Sequence, residues 1–410
     1  MRVIASLFLL FLLGGLTAQS SPHRLDTQRL QLVDSFLQQQ VDDGVVPNAQ
    51  ALVMQGGRVV HRSTFGQSDI ASGKAAKPDD IYRIASQTKA LVTVGLMKLY
   101  ERGAFLLEDP IAQYIPSFAR TQVHSPPDSS SNASGLVPPR RPITIRHLLS
   151  HTSGIPYELP DGLDEEYPVP FFASLEPLTT AEIVDLIAAR PLVSHPGEAF
   201  VYGLSTDVIG RLVEILSGQP LDEYMQQEVF GPLNMTDSYF YLPEAKKNRL
   251  VTLYTKPSKD GALVVHENET YRDFALKGAQ TYFSAGAGSV GTIDDYARFC
   301  QMLLNGGELD GARILSPKTI ALMTRNQIGD LEVWDRRDKF GLGFQLITPS
   351  SHYGDLATPG SFTWGGMYCS EYTIDPAEEL VMLVYFNVHP IPQYSELVRK
   401  FRILVYQALR

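Results

Sequence analysis

The spacing of apolar positions divides the chain into elements. Leu30, Val33, Phe36, Leu37 and Val41 recur at helical spacing and Gly44 follows as a stop, which predicts an amphipathic helix. Residues 50–54 and 58–65 read as two strands joined by the hairpin signal Gln55-Gly56-Gly57. From 83 to 103 the pattern changes, because nearly every residue from Ala90 to Tyr100 is apolar, on all faces. A helix apolar all round belongs inside a large protein. Helical spacing returns over 145–150, 180–189, 205–217, 221–230 and 292–304. In the third of these, Val208, Ile209, Leu212, Val213 and Leu216 share a face and Gly218 ends it. Residues 340–347, 362–374 and 380–387 are strand-like, and a closing helix covers about 394–409. Residues 250–278 carry no clear period. Residues 121–142 turn to Ser, Pro and Gly and read as an exposed excursion.

Strands near both ends with a long helical middle predict an α/β (α+β) fold. Its mixed, mainly antiparallel sheet is built from both chain ends and flanked by helices, with an inserted, mostly helical subdomain. The expected division is one domain over 25–409, with an α/β part at about 25–80 and 285–409 and a helical part at about 81–284. A cleft between the two parts is the default place for a site.

Charge and termini narrow the classes. The net charge of -10, from 35 basic and 45 acidic residues, argues against nucleic acid as a partner. Arg2, the apolar run 3–13 and Leu16-Thr17-Ala18 form a signal peptide over 1–18, so the expected mature chain starts near Gln19 and is secreted or periplasmic. The run is too short for a good membrane span, and no stable anchor is expected. Cys300 and Cys369 could pair or stay as buried thiols.

The candidate chemistry starts at Ser86 and Lys89 of SQTK. Residues three apart on a helix share a face, and the orphan N–H groups of a helix start favour developing negative charge. A serine is a weak nucleophile until a base removes its proton, and a desolvated lysine can be that base. Read on their own, Ser86 could be an N-cap and Lys89 a surface charge. No G-x-S-x-G elbow is present, and His147 and His151 in RHLLSHTSG read better as structural histidines than as triad members. No metal-binding spacing appears, and no cofactor is expected.

Six segments together, SQTK, HLLSHTSGIPY, YGLSTDVIGRLVEILSG, GPLNMTDSYF, AGAGSVGTIDDYARF and TWGG, resemble the β-lactamase and penicillin-binding serine hydrolase superfamily. Within it the chain is similar to the class C β-lactamase-like branch and its family VIII carboxylesterases. The resemblance implies that Ser86 is the acylated nucleophile, that Lys89 helps take its proton, and that Tyr202 shuttles protons with the lysine. It implies that Trp364, Gly365 and Gly366 line the cleft where the family carries K-T-G. The backbone N–H groups of Ser86 and Met367 would form the oxyanion hole.

Two departures bear on substrate. K-T-G has become Trp-Gly-Gly, without its cation, and Y-x-N has become Tyr202-Gly203-Leu204, without its amide. Sites built around buried hydrogen bonds discriminate strongly by them. The expectation is therefore an exported serine hydrolase acting on small, uncharged carboxylic esters. The alternatives are a β-lactamase or D-Ala-D-Ala carboxypeptidase, an acyltransferase, or a penicillin sensor that is acylated without turnover.

Overall fold

The computed structural model describes residues 25–125, 135–160, 163–170 and 175–410. The expected leader and the middle of the Ser/Pro/Gly excursion lie outside the described residues. Eight strands form one sheet: β1 (Asn48–Gln55), β2 (Arg58–Asp69), β3 (Lys74–Ala75), β4 (Lys339–Phe340), β5 (Gln345–Leu346), β6 (Phe362–Gly366), β7 (Ser370–Asp375) and β8 (Leu380–Tyr385). Their spatial order is β4-β5-β6-β7-β8-β1-β2-β3, and every pairing is antiparallel. The two ends of the chain meet at β1 and β8, where Leu52 lies opposite Leu383.

Ten α-helices surround this sheet among the described residues: α1 (Gln31–Asp42), α2 (Thr88–Glu101), α3 (Ile145–Leu149), α4 (Thr180–Ala189), α5 (Ser205–Ser217), α6 (Leu221–Met225), α7 (Glu269–Lys277), α8 (Ile293–Leu304), α9 (Pro317–Met323) and α10 (Tyr394–Tyr406). None is long and apolar enough to cross a membrane. Alternation along the strands sorts the layers, because successive side chains point to opposite faces. Ala49, Ala51, Val53, Met382 and Val384 pack with α1 and α10 through Val33, Leu37, Leu397 and Phe401. Leu52, Val381, Leu383 and Tyr385 join the larger core that contains α2, α5 and α8. The helix predicted to be apolar all round is α2, buried continuously from Thr88 to Met97.

Local signals explain the helix ends. Thr179 and Glu182 form a capping box on α4, and Thr292 caps α8 by accepting from the Asp295 N–H at 3.2 Å. Gly218, with φ +72°, ends α5.

Several expectations change. Residues 340–347 form a hairpin, β4 and β5, turning at Gly341 to Gly343, where Gly343 has φ +85°. Residues 362–374 fold as two strands, β6 and β7, around a turn whose left-handed residue is Cys369, a type that gives no turn signal. The excursion is partly built: Val123–Ser125 pairs with Gly135–Val137, and Val123 is buried. The unclear region supplies α7, capped by Asn268. Cys300 and Cys369 are buried and unpaired.

Helix α3 carries a pH-sensitive cap. The Thr144 hydroxyl accepts from the His147 N–H at 3.3 Å, and His147 Nδ1 accepts from the Thr144 N–H at 3.1 Å. Burial, helped by Arg141 and Arg146, holds the His147 pKa down to about 4. An unfolded histidine titrates near 6.5, so between these values the unfolded chain binds the extra proton and stability rises with pH. The unfolding midpoint should therefore fall as pH drops from 6.5 to 4. His147→Gln, which offers a non-titrating acceptor, should flatten that slope in thermal melts across this range. His389, held to about 4 mainly by burial, supplies part of the remainder. An unchanged slope would contradict this role for His147.

Candidate active site

The helix start differs from its expected form. Tyr82–Arg83 is a short strand paired with Val290–Gly291, Ala85–Gln87 makes a single 3-10 turn, and the α-helix begins at Thr88. Ser86 sits in that turn. Ala85 before it has φ +44°, in the left-handed region that costs an alanine roughly 1 kcal/mol or more. The bland reading of the pair fails on geometry. The N-caps of the turn and the helix are Ile84 and Gln87, neither of which makes a side-chain cap bond, and Lys89 is only 2% exposed.

Lys89 Nζ is held from three sides. It donates to the Gly286 carbonyl at 2.8 Å and to the Tyr157 hydroxyl at 2.7 Å, and it faces Ser86 Oγ at 3.4 Å. It also lies 4.8 Å from the centre of the Tyr202 ring. The loop that carries the Gly286 carbonyl is braced by Asp207, 2% exposed on α5. One carboxylate oxygen of Asp207 accepts from Tyr282 Oη at 3.0 Å, Ser284 Oγ at 2.9 Å and the Gly286 N–H at 3.2 Å.

Two tyrosines meet beside the amine because two loops are pressed together. A β-carbon on Gly203 would overlap the Ile155 carbonyl, so only glycine lets the YGL segment lie against HTSGIPY. Tyr157 and Tyr202 then stand with ring centres 5.4 Å apart, and their hydroxyls hydrogen bond. Burial pushes the Tyr157 hydroxyl well up, so it stays protonated at neutral pH. Trp364 Nε1 donates to the Tyr202 oxygen at 3.2 Å. His151 packs its ring 4.9 Å from that of Tyr202, and burial holds it neutral, so it supports the tyrosine as a wall.

Strand β6 brings the remaining residues. A β-carbon on Gly366 would overlap the Ile84 carbonyl, so glycine lets the strand end close on the Ser86 turn. Ser86, Tyr202, Trp364, Gly365, Gly366 and Met367 line one cleft of about 260 Å³. Neither the Ser86 nor the Met367 N–H donates to another described backbone group. The structure thus brings together Ser86, Lys89, Tyr202, Trp364, Gly365, Gly366 and Met367. It adds three that sequence reasoning missed. Tyr157 ends the quoted HLLSHTSGIPY segment, Asp207 is a lone acid on a helix, and Arg336 stands in a cleft-lining loop without periodicity. No group of three His, Cys, Asp or Glu among the described residues is placed to hold a metal ion.

The family model named Beta-lactamase matches residues 33–407. The chain belongs to the beta-lactamase family. As a member it is a serine hydrolase of the β-lactamase fold, with esterase and acyltransferase relatives. Esterase EstB of Burkholderia gladioli is 27% identical over 87% of this chain and 89% of its own length. Monacolin J acid methylbutanoyltransferase of Aspergillus terreus is 30% identical, covering 79% of this chain and 81% of its own. The solved structure of EstCE1, described as a hydrolase with promiscuous acyltransferase activity, superposes with a TM-score of 0.77 at 26% identity, covering 93% of this beta-lactamase-family chain and 99% of EstCE1.

Asp207→Asn tests the bracing behind Lys89. The amide cannot reproduce a charged acceptor of three hydrogen bonds, so urea unfolding should show a loss of about 2 kcal/mol or more. A loss below about 0.5 kcal/mol, the range of ordinary surface substitutions, would contradict the bracing.

Proposed function

We propose that this chain hydrolyses carboxylic esters of small molecules through an acyl-enzyme on Ser86. The observation that carries the reading is the buried Lys89 amine facing Ser86 Oγ at 3.4 Å on the floor of a cleft. In this reading Ser86 Oγ attacks the ester carbonyl carbon while its proton passes to Lys89 Nζ. The oxygen of the tetrahedral intermediate sits between the N–H groups of Ser86 and Met367, donors that are worth most where charge develops. Collapse breaks the bond to the alcohol, and the departing alkoxide takes the Tyr202 proton. The oxygen left on Tyr202 is met by Trp364 Nε1 and the Tyr157 hydroxyl. Lys89 then returns its proton through Tyr157 to Tyr202, along the 2.7 Å Lys89–Tyr157 bond. Water repeats the sequence on the acyl-enzyme, with its proton taken by the same groups, and releases the acid.

The preference for esters rests on Trp364 in place of the K-T-G cation and on the likeness to EstB. Acyl transfer is the second reading, in which an alcohol replaces water at deacylation. It is favoured by the likeness to the methylbutanoyltransferase and to EstCE1. A β-lactamase or D-Ala-D-Ala carboxypeptidase is the third. We place the enzyme outside the cytoplasm on the strength of the leader at 1–18, which N-terminal sequencing of the mature protein tests by a start near Gln19.

One assay separates these readings: a p-nitrophenyl ester, a chromogenic cephalosporin and a D-Ala-D-Ala peptide, each with and without an added alcohol. Ester turnover should dominate. Ser86→Ala should remove it by a factor of about a thousand or more, and Lys89→Ala and Tyr202→Phe by about a hundredfold or more. Tyr157→Phe should cost a smaller factor of about ten, since it interrupts only the return of the proton. Cephalosporin turnover exceeding ester turnover by orders of magnitude would contradict the ester reading. New ester formed from the added alcohol faster than free acid would favour the transferase.

A further inference from the structure

The cleft that holds Ser86 is not electrically neutral, although its K-T-G cation is gone. Three guanidinium groups line it, from Arg336, Arg399 and Arg402. Two are already matched. Arg399 Nε donates to Asp355 at 2.9 Å, and Arg402, with its side chain 7% exposed, pairs with Glu371 at 2.7 Å. Arg336 makes no ion pair with a described residue. Asp338, two residues on, acts on it through space but is itself bonded by Gln345. What holds Arg336 is aromatic: its guanidinium carbon lies 4.6 Å from the ring centre of Trp334 and 5.3 Å from that of Tyr353. A chain of net charge -10 thus carries a positive point in the wall of its cleft.

The loop that presents Arg336 is built at a cost. Residues 334–337 are closed at their base by the Val333–Asp338 bridge. Trp334 at φ +51° and Arg337 at φ +59° both sit in the left-handed region. Neither is a glycine, and strain of this kind collects at ligand-binding sites. Trp334 is 46% exposed, yet it stacks on Trp364 with ring centres 5.8 Å apart and meets the Tyr202 ring edge-on at 5.9 Å. The strained loop therefore continues the aromatic wall beside the catalytic tyrosine and sets beyond it a guanidinium with no ion pair among the described residues. A planar guanidinium in this setting fits a carboxylate through two parallel hydrogen bonds.

We propose that Arg336 reads a carboxylate on the substrate, so that the preferred esters are anionic ones carrying an acid group away from the scissile carbonyl. This revises the expectation of uncharged esters drawn from the loss of K-T-G. It rests on the proposed ester hydrolysis at Ser86, and the experiment keeps the two apart.

The probes are the monomethyl and dimethyl esters of succinic, adipic and suberic acids, which differ in charge at matched chain length. For at least one length, the wild-type protein should prefer the half-ester by about tenfold or more in kcat/KM, mostly through KM. Arg336→Ala should lower the half-ester to diester ratio by about tenfold. Arg336→Lys should keep part of the preference, and Arg336→Glu should reverse it. Loss of both esters in equal proportion would show that Arg336 only shapes the wall, and a ratio that moves less than twofold would overturn the proposal. Binding supplies the independent arm. Both tryptophans of the chain, Trp334 and Trp364, line the cleft, so their fluorescence reports occupancy. Half-ester binding to Ser86→Ala that disappears in Ser86→Ala/Arg336→Ala upholds the carboxylate site even if no ester is turned over, in which case only the hydrolysis reading fails. Equal half-ester binding with and without Arg336 overturns the site even if hydrolysis proceeds.

Discussion

Lys89 carries its amine into the protein interior, and the rest of the cleft is arranged around satisfying it. A buried amine without acceptors would be costly. Here the Gly286 carbonyl and the Tyr157 hydroxyl take two of its directions, which leaves the third for Ser86 Oγ. Each partner is fixed by an element far away in sequence. Asp207 on α5 ties down Gly286, and Gly203 presses the Tyr202 segment onto the Tyr157 segment. Because α2 is buried on every side, neither its start nor Lys89 can shift without disturbing the core. The amine is therefore placed by the fold as a whole.

The sheet contributes by close approach. Strand β6 ends in Gly365-Gly366, and the absence of a side chain at Gly366 lets it reach the Ile84 carbonyl beside the strained Ala85. The N–H groups of Ser86 and Met367, neither of which donates to another described backbone group, then share a cleft with the serine hydroxyl. Trp364, where the family carries a lysine or its like, closes the far side by donating to Tyr202. That exchange joins the cleft wall to Tyr202, the tyrosine proposed to move protons. In the proposed reading, the task of meeting a substrate charge passes to a residue on another loop, Arg336.

Much of the scaffold was legible in the sequence. The helical spacing of apolar residues, closed by Gly218 in α5, located α4, α5 and α8 to within a residue, because that signal is local. The strands near the C-terminus were harder. Residues 362–374 are mostly buried on both faces, and the left-handed residue of their turn is Cys369, so alternation does not mark the break between β6 and β7. Ser86, Lys89 and Tyr202 stood out as candidates because they sit in short motifs. Tyr157, Asp207 and Arg336 did not, since each matters through a partner brought near by tertiary packing: Lys89 for the first, the Gly286 loop for the second, and the cleft aromatics for the third.

The central claim is that Ser86 becomes covalently acylated in a cleft organised by Lys89. The direct measurement is acid quenching of the enzyme within the first turnover of an activated ester, followed by protease digestion and mass analysis of the peptides. The peptide containing Ser86 should gain the mass of one acyl group before steady state, and the gain should be absent from Ser86→Ala. An acyl group on any other residue, or turnover with no acylated peptide at all, would contradict the claim.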